Sequence, residues 1–183
     1  MNFAKPLVAA AFALGLAATP AALQAELPQG VRAPDFSTQG ALAGKPFAFH
    51  LRDALRRGPV VLYFYPKAFT QGCTLEAHAF AEATDDFRAA GATVIGMSND
   101  DVPTLQRFST EHCRDKFPVA QATPEIIRAY DVALVREGIP AGLASRTSYV
   151  IARDGRVRLV YSNMDYRDHV RLTLDAVKAL ARH

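Results

Sequence analysis

The stretch that most limits this chain is Val60-Val61-Leu62-Tyr63-Phe64-Tyr65, together with the segment after it. The run is apolar, with β-branched and aromatic side chains, and reads as a buried strand. It passes into Pro66, which fixes the backbone and removes a donor. A helical pattern then opens at Cys73. Leu75, Ala79, Phe80, Ala83 and Phe87 recur with helical spacing to about Ala90, and Gly91 stops the run. A thiol therefore sits where strand gives way to helix, in the first turn. Unpaired backbone N–H groups and the positive end of the helix dipole favour a thiolate there. Thr70, three residues back, is expected to reach Cys73 with its hydroxyl.

The rest of the chain alternates in the same way. Phe47 to Leu51 reads as a short first strand and Thr93–Ser98 as a core strand. Asn99, Asp100 and Asp101 offer N-caps for a helix with Pro103 early in it and Val102, Leu105 and Phe108 on one face. That helix ends near Cys113, and Pro118 prevents its continuation. Pro124 opens a short helix through Ile126, Ile127 and Tyr130. Thr147–Ala152 and Val157–Tyr161 form a hairpin around Asp154-Gly155, and a last helix runs from about Tyr166 to Ala181. This order predicts an α/β fold, a central mixed sheet with helices on both faces. The chain has 183 residues and is 50% hydrophobic, enough for one compact core. The net charge of +3 is small and its charges are interspersed. Arg52, Arg56 and Arg57 form the densest basic cluster. They read as a solvated helix face, since a nucleic-acid surface asks for a broader stripe.

The first 25 residues stand apart. Lys5 gives a positive start, Leu7 to Ala18 is almost wholly apolar, and Ala22 and Ala25 are cleavage positions of the right size. The segment reads as a signal peptide, cut after Ala25 or Ala22. Residues 26–183 would then form the mature domain in a bacterial-type periplasm, where disulfides persist.

The spacing Pro66-x-x-x-Thr70-x-x-Cys73 resembles the active-site signature of peroxiredoxins. The surrounding Tyr65-Pro66-Lys67 and Thr70-x-Gly72-Cys73-Thr74-x-Glu76-Ala77 resemble the Q-type branch, the bacterioferritin-comigratory proteins. Ala33-Pro34-Asp35-Phe36, Ile95-Gly96-Met97-Ser98 and Ser145-Arg146-Thr147-Ser148 resemble further family segments, in the right order. The resemblance implies a thioredoxin-like fold and a thiol peroxidase. Its substrate would be hydrogen peroxide or an organic hydroperoxide, and its reductant a thioredoxin-like protein. It implies no cofactor, no nucleic acid, no stable membrane association, and a monomer or weak dimer. Cys73 would be the peroxidatic thiol, with the Arg146 guanidinium beside it, Thr70 on the peroxide and Pro66 shielding the site from water.

Three departures matter. Gln71 replaces the usual proline, Ala68-Phe69 replaces a polar pair, and His78 stands where many members carry a resolving cysteine. Cys113, the only other cysteine, is then expected to resolve the Cys73 sulfenate, by local unwinding around both thiols. A static disulfide, an intermolecular bridge and a bystander thiol are the alternatives. Cys73, His78, His112 and Cys113 lack the paired short spacings of a zinc site. No Cys-x-x-Cys occurs, which disfavours a reductase of protein disulfides. A binding module stapled by Cys73 and Cys113 is the third reading.

Overall fold

The computed structural model describes Met1 and residues 26–182; the apolar run expected to be a signal peptide, with Ala22 and Ala25, lies outside them. Among the described residues seven strands form one mixed sheet. In chain order they are β1 (Ser37–Leu42), β2 (Lys45–His50), β3 (Val60–Phe64), β4 (Thr93–Ser98), β5 (Val119–Gln121), β6 (Thr147–Ile151) and β7 (Val157–Ser162). Across the sheet they run β2-β1-β5-β4-β3-β6-β7. The helices are α1 (Leu51–Arg57), α2 (Gln71–Ala89), α3 (Val102–Glu111), α4 (Pro124–Ala129) and α5 (Arg167–Leu180).

β3 lies inside the sheet, between β4 and β6; every one of its residues is buried, and a strand covered on both faces needs an apolar side chain at each position. Its alternation sorts the core. Val60, Leu62 and Phe64 face a cluster with Leu51, Ala54, Ile126 and Ile127, from α1 and α4. Val61 and Tyr63 face the other cluster, with Ala77, Phe80 and Phe87 of α2, Leu105 and Phe108 of α3, and Val177 of α5. Helices therefore cover both faces, as the element order predicts. Gly96 is required on β4, since a Cβ there would fall 2.7 Å from the Tyr63 ring.

Three elements differ from the sequence reading. The first strand begins well before Phe47: β1 and β2 form a hairpin turned by Ala43 and Gly44, both at positive φ. Leu51 caps the core as the start of α1, whose Arg52, Arg56 and Arg57 are exposed. β5, only three residues long, pairs with both β1 and β4.

Register places the site. β3 pairs antiparallel with β6, Phe64 opposite Thr147. Arg146, one residue ahead of β6, therefore stands beside the exit of β3. β6 pairs antiparallel with β7, Thr147 opposite Ser162, which brings Asn163 next to Arg146.

Candidate active site

The β3 ladder ends at Tyr65, whose N–H donates to Met97 O at 2.9 Å. Pro66, half-buried, has no N–H to continue it. The loop after Pro66 is braced from β4's exit. Asp100 accepts from the Ala68 N–H and from the Ser98 hydroxyl, each at 2.8 Å. Phe69 takes a left-handed conformation, φ 63°. Its ring packs edge-on against Phe108 and His112, with the Arg107 guanidinium 4.9 Å from its centre. Of the three candidate caps for α3, Asp101 takes the role, accepting from Thr104 N–H, and Asp100 is free to hold the loop.

α2 begins two residues earlier than expected, at Gln71, so Cys73 is its third residue. The first intrahelical bond runs from Thr74 N–H to Thr70 O at 2.9 Å. The Cys73 N–H thus lies ahead of the helical ladder. No acidic residue occupies the first turn, so the positive helix end is left for another negative charge. Thr70 corrects a sequence expectation. It is the N-cap residue, but its exposed hydroxyl donates to Lys67 O at 2.9 Å rather than reaching Cys73. The turn at Phe69 directs it back along its own loop.

Arg146 meets the thiol. The residue is buried, 4% exposed, as is Cys73 at 2%, and Nη2 lies 3.5 Å from Cys73 Sγ. Nε donates to Met164 O at 3.0 Å, and Nη1 pairs with Glu76, one helical turn after Cys73. Gly72 leaves the space this needs: a Cβ there would fall 3.2 Å from Nη2. Burial pushes the Glu76 carboxyl up to about 8 against the pull of Arg146. Glu76 Oε1 finds no hydrogen-bond partner among the described residues and lies 3.8 Å from His169 Nδ1. Sequence reasoning assigned no role to Glu76 or His169, and offered Asp100 only as an N-cap for α3. Only Glu76 carried a local signal, an acid three residues from Cys73 on a helix.

Cys113 lies apart from this centre, in the turn after α3. It is fully buried in the same apolar cluster as Cys73, with Tyr63, Tyr65, Phe80, Phe108 and Phe117. Both cysteines are free thiols here, not a static bridge. Burial, reinforced by Asp115, pushes the Cys113 thiol up. His78 and His112 meet nearby, Nε2 to Nδ1 at 3.3 Å. Among the described residues no group of three or more His, Cys, Asp and Glu could hold a metal ion.

The AhpC/TSA family profile matches residues 29–160. The chain belongs to that family. Two Q-type peroxiredoxins, both chloroplastic, are among its relatives. That of Suaeda salsa is 37% identical over 67% of this chain and 56% of its own length. That of Arabidopsis thaliana is 34% identical over 85% of this chain and 69% of its own length. The chain thus spans only about half to two thirds of these relatives. Among solved structures, peroxidoxin BcpB of Mycobacterium tuberculosis superposes with a TM-score of 0.74 at 29% identity, covering 83% of this chain and 97% of that one. Peroxiredoxin Q of Xanthomonas campestris gives 0.67 at 29% identity, covering 78% and 90%. The Q-type resemblance and the thioredoxin-like fold are borne out within the AhpC/TSA family.

Proposed function

We propose that this AhpC/TSA protein is a thiol peroxidase that reduces hydrogen peroxide and organic hydroperoxides through Cys73. The observation that carries the reading is the Arg146 guanidinium at 3.5 Å from a thiol in the first turn of α2. A thiolate is the attacking form of a cysteine, and the guanidinium and the unpaired N–H groups supply donors for the negative charge that passes to the peroxide in the transition state. A relative from Xanthomonas campestris, 29% identical, is described for alkyl peroxide reduction.

The Cys73 sulfur attacks one peroxide oxygen. An S–O bond forms, the O–O bond breaks, and the departing alkoxide or hydroxide takes a proton to leave as alcohol or water. Cys73 is left as a sulfenic acid. The Cys73 N–H and Arg146 Nη2 stand where charge grows on the peroxide oxygens. Thr70, by turning its exposed hydroxyl from Lys67 O, would bind the peroxide, and Pro66 would keep water from the loop side.

Cys113 resolves this intermediate. Its sulfur attacks the sulfenic sulfur, an S–S bond forms, and hydroxide leaves as water after taking a proton. A thioredoxin-like dithiol then reduces the bridge and is itself oxidised. The step requires the turn around each cysteine to unwind, since a disulfide holds its Cα atoms within about 7 Å. The protein would work as a monomer or weak dimer. Residues 1–25 act as an export signal to the periplasm, supported by Lys5, the apolar run Leu7 to Ala18 and the small residues after it. Among the described residues no helix is long and apolar enough to cross a membrane.

Rapid mixing of the reduced protein with peroxide tests the reading. Wild type should consume it and Cys73→Ser should not; residual peroxidase activity in that variant rejects the assignment. N-terminal sequencing of the native protein should begin after residue 22 or 25. Lys5 still attached refutes cleavage.

A further inference from the structure

We infer that His169 is a positioning residue of the Cys73 centre: through the backbone of the β7–α5 loop it sets where the Arg146 guanidinium stands. The inference rests on the reading of Cys73 as the reactive thiol. His169 lies in the first turn of α5 and is fully buried. Both ring nitrogens are engaged. Nε2 is 2.9 Å from Asn163 O. A carbonyl can only accept, so Nε2 carries a hydrogen. Nδ1 is 2.8 Å from Ser148 Oγ on β6, and in the neutral ring the Ser148 hydroxyl donates to it. Burial pushes the imidazole down to about 4, so this neutral tautomer persists at physiological pH.

Two peptide groups link that ring to the active site. The Asn163 N–H donates to Arg146 O at 3.1 Å. The next carbonyl, Met164 O, accepts from Arg146 Nε at 3.0 Å. Asn163 and Met164 are themselves exposed, so the loop is held by bonds rather than by burial. Fixing Nε fixes the plane of the guanidinium. Nη1 then falls on Glu76 and Nη2 on Cys73. The His169 ring also closes the space beside Glu76 Oε1, at 3.8 Å from Nδ1. Without the Nε2–H bond, Asn163 O loses its donor, and only the Asn163 N–H bond to Arg146 O and the loop's own short-range bonds are left to keep Met164 O under Nε.

The test reads Cys73 directly, without peroxide. In a Cys113→Ser background only one thiol can be alkylated by iodoacetamide. His169→Leu should slow that alkylation at pH 7 by about ten-fold, as a guanidinium displaced by a fraction of an ångström no longer lies against the attacking sulfur. His169→Gln, whose amide N–H can reach Asn163 O, should recover to within about three-fold of the parent. In an Arg146→Lys background, which lacks Nε, His169→Leu should add less than about two-fold. A full loss in that background, or an unchanged rate in folded His169→Leu, overturns the inference, because a merely structural histidine would act with or without Nε. If His169→Leu fails to fold, Ser148→Ala replaces it, with about a three-fold loss expected that also vanishes with Arg146→Lys; an unchanged rate there overturns the inference too. Peroxide consumption by wild type is measured separately, so failure of the peroxidase reading leaves the alkylation result standing on its own.

Discussion

The two cysteines share one hydrophobic cluster and differ in almost everything around it. Cys73 opens a helix of 19 residues. Its loop is pinned by Asp100, its sulfur faces Arg146, and Arg146 is held by Glu76 and Met164. Cys113 comes after a helix of 10 residues, past its last turn. The two residues beyond it, Arg114 and Asp115, both adopt left-handed backbone, at φ 51° and 59°. For a residue with a Cβ that conformation costs about 1–2 kcal/mol. The Cys73 region has one such residue, Phe69, in a loop pinned by Asp100 and packed against Phe108 and His112, whereas the Cys113 turn has two in succession, both exposed, whose strain local unwinding releases. If Cys113 is the resolving thiol it needs that second property, because it has to move once the peroxidatic thiol, in place from the start, has reacted.

The sharpest way to break the comparison is to remove the charge that organises the first region. Arg146→Ala should slow peroxide attack on Cys73 by about 10- to 1000-fold, as it deletes a donor used mainly in the transition state. It should also lower stability by about 3 kcal/mol, since Glu76 is left buried without its partner. Stopped-flow rates and denaturant titration read the two effects. A rate within a factor of two of wild type would mean the guanidinium is only structural.

Cys113→Ser attacks the other side. The first turnover should stay within about three-fold of wild type, because no part of the Arg146 centre is touched. Sulfenic acid should then accumulate, overoxidise, and stop turnover driven by a thioredoxin-like donor. Mass spectrometry of peroxide-treated wild type should find a Cys73–Cys113 bridge within one chain. A stable Cys73 sulfenate beside a free Cys113 would remove the functional contrast altogether. A smaller effect belongs to Gly72→Ala. Its new methyl would meet Nη2 at 3.2 Å, and a displaced guanidinium should cost about three- to ten-fold in the rate of attack.

The two regions are also unequally legible in the sequence. β3, the loop and α2 can be read from local pattern, because an all-buried strand and an amphipathic helix each leave a periodic signature. The β6–β7 hairpin is announced by Asp154-Gly155 in the same way. The β1 strand is not, because Ser37-Thr38-Gln39-Gly40 has little strand propensity. Its pairing with β5 needs Gly40 for close approach, since a Cβ there would lie 2.4 Å from Val119 O. β5 has three residues, too few for a period. Within the site, position alone says little of Arg146, and the family resemblance supplies its role. Spacing overstates the reach of Thr70 because it cannot reveal a left-handed Phe69. Asp100, Met164 and His169 act across 32, 18 and 6 residues of sequence, and no local pattern encodes those contacts.

The smallest expected effect tests whether the strain after Cys113 has a purpose. Asp115 sits at φ 59° and is exposed; Asp115→Gly relieves its backbone but also removes a carboxylate that helps push the Cys113 thiol up, so Asp115→Asn, which removes the charge alone, serves as the reference for it. Glycine adopts this conformation without the Cβ penalty, which stabilises the wound turn. It also gains more freedom when the turn opens, which offsets part of that gain by about 0.5–1 kcal/mol. The remaining stabilisation, about 0.5–1 kcal/mol, should reduce the open population by about two- to five-fold. If opening around Cys113 limits resolution, disulfide formation after a peroxide pulse should slow by that factor, while the preceding sulfenate burst is unchanged. A slowed burst would mean that the two regions are coupled through Phe69, Phe108 and His112. Unchanged disulfide formation would place the limiting motion at Cys73, and the first turn of α2 would then be the part that unwinds.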